Sequence, residues 1–594
     1  MLEGRSAARF RVYSELARRC EIRILESKGA PGTPGVHLLQ PTGDGAHEGV
    51  IEGAGHGTLY EILLDGRALP DPYARFLPRG VQGPAMVVEP RHQWRHGLGV
   101  TRPPREHVIY ELHVGTFTPE GTYAAAATRL AGLANLGITT IELMPVSAFP
   151  GRWGWGYDGV AHFAPYAGYG TPDELRSFVD EAHGLGLSVI LDVVYNHWGP
   201  AGNYLGAFSK HYFSSDIKSG WGDGPNYQHP AMRDYVLDNV EYWLGDFRFD
   251  GLRLDATHAI VDPSERHIIA EISDRAHAFE PRKAVFAEDS RNDPDLVLLW
   301  GADGIWADDF HHVAHVAVTQ ERDGYYACYR PEASDLAATI REGWLYVGQP
   351  YAATGAPRGK AARELAAEAF VYCLENHDQI GNRARGDRVL YAGSLEPFCA
   401  LSTLLLFLPM TPLLFMGQEW ASSAPFCYFT DHDPELGRLV TQGRCEEFSA
   451  FAHFASAEAR RTIPDPQAED TFLRSKLRWE ERESDGHARV LALYKTLLQM
   501  RRSDPVLRAS GRDGLKVEAH GSWLAVRRTS GQPNDEDRLL LVNLSNVAVP
   551  AHEVAPLLAG RTLVLRSDGG SSLDGPLPAW VATVTAGRDA PPRP

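Results

Sequence analysis

Eight short apolar segments recur between residues 107 and 420, with amphipathic sequence between them, and this recurrence restricts the chain more than any other feature. They are "HVIYELHVGTF" from 107, "ITTIELMPV" from 138, "LSVILDVVYNH" from 187, "FDGLRLDAT" from 249, "AVFAEDS" from 284, "GIWADDFHH" from 304, "FVYCLENHDQIGN" from 370 and "TPLLFMGQEW" from 411. Apolar strands alternating with amphipathic helices are the pattern of a parallel sheet covered by helices. Eight is the number that closes such a sheet into a (β/α)8, or TIM, barrel. The helix after the second segment is well signalled. Thr171 and Glu174 predict a capping box, Pro172 sits at the first helical position, and Gly184 and Gly186 mark the end. A last helix is predicted over "HARVLALYKTLLQMRR" from 487.

With 594 residues the chain is too long for one ordinary core. From residue 8 to about 90, "RFRVYSEL", "CEIRILES", "GVHLLQP" and "GTLYEILLDG" read as short strands between Gly/Pro-rich turns. After "SDPVL" the β character returns with "SWLAVRRT", "RLLLVNLS" and "RTLVLRS". The expected fold class is therefore α/β: a TIM barrel over 93–505, flanked by an immunoglobulin-like N-terminal β-sandwich over 1–92 and a C-terminal antiparallel β-sandwich over 506–594.

Catalytic groups of a TIM barrel sit at the C-terminal ends of its strands. Charged and imidazole residues cluster at those ends here. The third segment ends in Asp192, Asn196 and His197, the fourth in Arg253 and Asp255, the fifth in Glu288, and the seventh in Glu375, His377 and Asp378. A single Asp after a barrel strand is as well explained by a helix cap or by an ion pair with Arg253. Four strand ends carrying such groups in order point instead to a glycosidase, in which one carboxylate attacks and another, kept protonated, gives its proton to the leaving oxygen.

"DVVYNH", "GLRLDATH", "AEDS" and "ENHDQIGN", in that order, closely resemble the four recurrent regions of the α-amylase family of glycoside hydrolases. The resemblance spans about 107 to 500. It implies a retaining mechanism with Asp255 as nucleophile, Glu288 as general acid/base and Asp378 as a transition-state stabiliser. Arg253, His197 and His377 match supporting residues around the cleaved bond, Tyr157 in "WGYDG" matches the family's stacking aromatic, and Gln379 is a further expected substrate contact. Outside the four regions, "DPYARFLPRGVQGP", "GIWADDFHH", "GYYACYR" and "MGQEWASSAPFCYFTDHDPELGRLVTQGR" resemble the branch that hydrolyses the α-1,4 bond beside the terminal trehalose of maltooligosyl trehalose. Its leaving-group subsites are expected from Thr257, His258, Asp308, Asp309, His311 and His312. Trp153, Trp155 and Trp198 stand beside strand ends, as stacking platforms or as packing. The alternatives are a glucan branching enzyme with the same three carboxylates and, remotely, a non-catalytic glucan-binding protein.

Asn196 matches a calcium ligand of many α-amylases. The excursion from 198 to 230 is short and carries no carboxylate-rich loop, so no metal and no other cofactor is expected. A net charge of −18 argues against nucleic acid or an anionic membrane as partner. The N-terminus lacks the apolar core of a signal peptide, and the six cysteines show no CxxC pair. A cytoplasmic enzyme, monomeric or dimeric, is the expectation.

Overall fold

The computed structural model describes residues 7–26, 34–43, 45–99, 102–388, 393–532 and 536–587. At its centre eight parallel strands close into a barrel. In chain order they are Ile109–Leu112, Thr140–Leu143, Ser188–Val193, Gly251–Leu254, Ala284–Glu288, Gly304–Trp306, Phe370–Cys373 and Thr411–Phe415, one inside each of the eight segments read from the sequence. The eighth pairs with the first through Leu413 and Ile109, which closes the ring.

Side chains of a strand alternate between its two faces, so each barrel strand sends every second residue inward. Leu252 and Leu254 of the fourth strand point out to the helices and join the main core, which leaves the intervening Arg253 on the inner face. Inside, Ile109, Ile190, Phe286, Val371 and Leu413 build an apolar floor. Two residues further along the first and third strands, the inward set turns polar with Glu111 and Asp192, joined by Glu142 and Arg253. That polar layer is the base of the site.

The helix Pro172–Gly184 carries both halves of the predicted capping box, with Thr171 accepting from the Glu174 N–H and Glu174 accepting from the Thr171 N–H. Its buried face includes Leu175, Phe178 and Val179. The helix Leu395–Phe407 is buried almost all round, because it lies between the barrel and the C-terminal sheet.

Two antiparallel sheets precede the barrel. One is ordered Ala7–Tyr13, Ala46–Glu52, Gln40–Gly43, and the other Gly35–Leu38, Cys20–Glu26, Leu59–Leu64, Arg67–Leu69, with Ala85–Met86 also against Leu59–Leu64. Phe10 of the first meets Tyr60 of the second edge to face at 4.9 Å. After the barrel, five antiparallel strands form one sheet in the order Leu515–His520, Trp523–Arg528, Asp537–Asn543, Ala582–Gly587, Thr562–Arg566. Leu524, Val526, Leu540 and Val542 face the barrel core, while Trp523, Ala525, Leu539 and Leu541 pack under helix Ala551–Leu558 on the other side. The period of two thus explains why these strands read as almost wholly apolar.

Candidate active site

Arg253 organises the site. Its side chain is fully buried, and a buried charge is tolerated only when paired. Nη1 donates to both carboxylate oxygens of Asp192 at 2.8 Å and to Asp255 Oδ1 at 2.8 Å. Nη2 lies 2.8 Å from Glu288 Oε2, a close contact without the alignment of a hydrogen bond. The guanidinium also rests over the Trp306 ring, 4.4 Å from its centroid. One cation therefore touches carboxyl groups from three strand ends.

Asp255 and Glu288 are pushed in opposite directions. Burial by itself would raise Asp255, but Arg253, the Asn196 amide and His197 outweigh it and hold the carboxylate below its ordinary range. Asn196 Nδ2 donates to Asp255 Oδ2 at 2.7 Å and to the Asp255 carbonyl at 2.8 Å. Glu288 is pushed up to about 8, first by burial and then by the charges of Asp255, Asp378 and Asp308, against the opposing pull of Arg253. The turn after Asp255 is strained: Ala256 has φ 40, and its N–H donates to Glu288 Oε2 at 2.8 Å. An anion beside a neutral acid is the division of labour that retaining glycoside hydrolysis needs.

A second group supports this pair. His377 Nδ1 contacts Glu111 Oε1 at 2.5 Å, its backbone N–H donates to Glu111 Oε2 at 3.0 Å, and Nε2 meets the Tyr157 hydroxyl at 2.8 Å. That hydroxyl donates to Asp192 Oδ2 at 2.6 Å, so it accepts from His377, and both ring nitrogens carry protons. Burial opposes the extra charge, yet Glu111 raises His377 to about 9. The Tyr157 ring lies nearly parallel to His377 at 5.1 Å. His197 contacts Asn196 through Nδ1 and the Tyr157 carbonyl through Nε2 at 3.0 Å, holding the amide that serves Asp255. Asp378 is the most open of the acids; Asn382 Nδ2 donates to its Oδ1 at 2.8 Å.

Residues 113–219 match the model of the family "Alpha amylase, catalytic domain". A malto-oligosyltrehalose trehalohydrolase of Deinococcus radiodurans is 47% identical over 580 residues, 96% of this chain and 93% of the relative. The chain belongs to the malto-oligosyltrehalose trehalohydrolase family. Another trehalohydrolase, from Saccharolobus solfataricus, is 36% identical over 87% of this chain and 89% of its own length. A crystal structure of a Salmonella typhimurium protein described as an alpha amylase superposes with a TM-score of 0.89 at 36% identity, covering 99% of both chains. The protein is a glycoside hydrolase of the α-amylase family, and a branching enzyme of Leifsonia xyli is more distant, 28% identical over 51% of this chain.

In this trehalohydrolase fold a cleft of about 540 Å³ opens beside Glu288 and Asp378, a size usual for small-molecule sites. His258, Asp308, His312 and Gln379 line it, together with residues that the sequence reading did not single out, among them Arg291, Tyr329, Tyr351 and Arg358. Asp308 is raised to about 6 by burial and by the charges of Asp378 and Asp309. Burial pushes His312 down to about 3, so it enters the cleft wall as a neutral ring.

Three expected cleft residues lie behind the wall. Thr257 Oγ1 lies 2.7 Å from the Glu288 carbonyl oxygen and 2.8 Å from Asp289 Oδ2, two acceptors for its one proton. Asp309 accepts from Asn292, Tyr329 and the Leu345 N–H at 2.7–2.8 Å, and pairs with Arg358 at 3.3 Å. His311 Nδ1 donates to the Leu374 carbonyl at 2.6 Å. Asp309 and His311 lie within the helix Asp309–Thr319 that Asp308 precedes, so successive side chains diverge by the helical turn. The three tryptophans are also buried: Trp153 donates to the Thr430 carbonyl, Trp155 to the Cys427 carbonyl, and Trp198 packs against His162. Trp221, on the hairpin Phe213–Ser219/Gly222–Pro225, is 38% exposed and stands 5.8 Å from the His197 ring. Among the described residues no group of three or more His, Cys, Asp or Glu is arranged to hold a metal.

Proposed function

We propose that the protein hydrolyses the α-1,4-glucosidic bond next to the terminal trehalose of maltooligosyl trehalose, releasing trehalose and a shortened maltooligosaccharide. The observation that carries this reading is the pair of oppositely ionised carboxyls held on one buried guanidinium in a chain 47% identical to a trehalohydrolase. Asp255 attacks the anomeric carbon and forms a covalent glycosyl-enzyme while Glu288 passes its proton to the leaving oxygen. Glu288, now a carboxylate, takes a proton from water, and the activated water releases the sugar. Contact of both carboxyls with one planar cation fits the separation of about 5–5.5 Å used by retaining enzymes. Asp378 grips sugar hydroxyls at the cleavage subsite, with Tyr157, His197 and His377 around it.

The leaving-group side of the cleft belongs to His258, Asp308, His312 and Gln379, whose polar atoms read hydroxyls. We read the chain as three units, 1–92, 93–505 and 506–594, with the middle one catalytic. All six cysteines are unpaired thiols, which suits a reducing cytoplasm. No helix among the described residues is long and apolar enough to cross a membrane.

Incubation with maltopentaosyl trehalose should release trehalose and maltopentaose, with the α anomer formed first. Absence of trehalose, with new α-1,6 branches on amylose, would replace this reading by the branching one.

A further inference from the structure

Glu142 has no place in the mechanism above, and its surroundings are unusual. It lies on the second barrel strand, fully buried, and neither carboxyl oxygen has a hydrogen-bond partner. No cation lies within ion-pair distance of it among the described residues. In strand register it sits directly beside Glu111, so two carboxyl groups project side by side into the barrel.

We propose that Glu142 is a positioning residue of the catalytic centre: it forms a buried acid–carboxylate pair with Glu111, remains the neutral member, and so leaves Glu111 to His377 and Arg253 to Asp192 and Asp255. The proposal rests on the hydrolase reading of the site. Two like charges at adjacent buried positions cannot both ionise cheaply, and one of the two must keep its proton. Glu111 is committed as acceptor, because it takes both the ring and the backbone N–H of His377. Glu142 is the partner without a donor.

The groups that face Glu142 agree. Glu111 comes from the first strand, Asp192 from the third, Arg253 from the fourth, Cys373 from the seventh and His377 from the turn that follows it. Burial is the main force raising Glu142 well above the ordinary carboxyl range; Glu111 and Asp192 add to it, and Arg253 and His377 oppose it without prevailing. With Glu142 neutral, the layer holds the cations Arg253 and His377 against Glu111, Asp192 and Asp255. An ionised Glu142 would add a fourth anion, draw on the field of Arg253, and weaken the hold on Asp255 as an anion.

Infrared difference spectroscopy of the full-length protein, wild type minus Glu142→Gln, tests this directly. The expected result is a protonated-carboxyl carbonyl band that persists at pH 8 and is absent from the variant. In Glu111→Gln background the same band should titrate away at lower pH, since its repelling neighbour is gone. Gln keeps the size and neutrality of the acid, so Glu142→Gln should retain kcat/KM within about 10-fold, whereas Glu142→Leu, which removes the polar group, should lose more than about 100-fold. A missing band, a band indifferent to Glu111→Gln, or a Gln variant as impaired as the Leu variant would each overturn the proposal. The spectrum does not depend on turnover, so it stands apart from failure of the trehalose assay.

Discussion

Asp255 Oδ1 and Arg253 Nη1 lie 2.8 Å apart, two residues from each other on one strand end, with the guanidinium wholly enclosed. The same guanidinium reaches Asp192 and Glu288, a span that only a planar fork can cover. Lysine offers a point charge in its place. Arg253→Lys is therefore expected to lower kcat/KM by about 100-fold or more, with a smaller effect on KM. Steady-state kinetics of the folded variant checks this, and near-normal turnover would show that the bridge is dispensable.

Activity should be bell-shaped in pH. As the proposed acid Glu288 must be protonated, and its carboxyl is raised to about 8, so its contribution is present at neutral pH and lost as pH rises through about 8. As the proposed nucleophile Asp255 must be ionised, and it is held below its ordinary range, so activity is lost only as pH falls beneath that range. Glu288→Gln should reduce kcat by at least about 100-fold and remove the alkaline limb from the residual rate. An unchanged alkaline limb in that variant would assign it to another group.

Folding stability should also fall at alkaline pH. His377 is raised to about 9 in the folded protein, against about 6.5 in an unfolded chain. Its pairing with Glu111 thus contributes fully below about pH 6.5 and is lost as pH rises through about 9. Thermal unfolding of the wild type and of Glu111→Gln over pH 6–10 measures this, with the difference between them expected to shrink at the alkaline end.

Ala256 holds a left-handed backbone, φ 40, in order to aim its N–H at Glu288. Glycine adopts that conformation without the Cβ penalty of about 1–2 kcal/mol, but loses more entropy on folding. Ala256→Gly should therefore stabilise the protein by up to about 1 kcal/mol, read from denaturant unfolding, while lowering kcat modestly as the turn loosens.

Asp309 anchors the segment that walls the cleft, through the Leu345 N–H at 2.8 Å, the Tyr346 N–H at 3.2 Å and the Arg358 guanidinium at 3.3 Å. Asp309→Ala leaves a largely buried arginine without its acid, a loss of about 3–5 kcal/mol. KM should rise more than kcat falls, because the cleft wall shifts and the reacting carboxyls do not. A KM indistinguishable from wild type would exclude this role.

The order of strands, the closure of the barrel, the capping box at Thr171 and the strand ends that carry Asp255, Glu288 and Asp378 were all legible in the sequence. Each is a local pattern: apolar period, cap chemistry, or a carboxylate following a strand. The C-terminal strands Leu515–His520 and Ala582–Gly587, and Ala46–Glu52 near the start, were not picked out: the first two alternate but carry few large apolar side chains, and the third has no clear period of two.

What sequence alone determined, then, was which carboxyls reach the mouth of the barrel. Only the tertiary structure decided their neighbours, and neighbours set both charge state and role. Asp308 and Asp309 are adjacent in the chain, yet the first lines the cleft and the second braces its wall. Glu142 reads as one polar residue in an apolar strand until the register places it beside Glu111. Burial and Coulomb forces act through space, between side chains that closure of the barrel brings together from positions as far apart in the chain as Glu111 and His377.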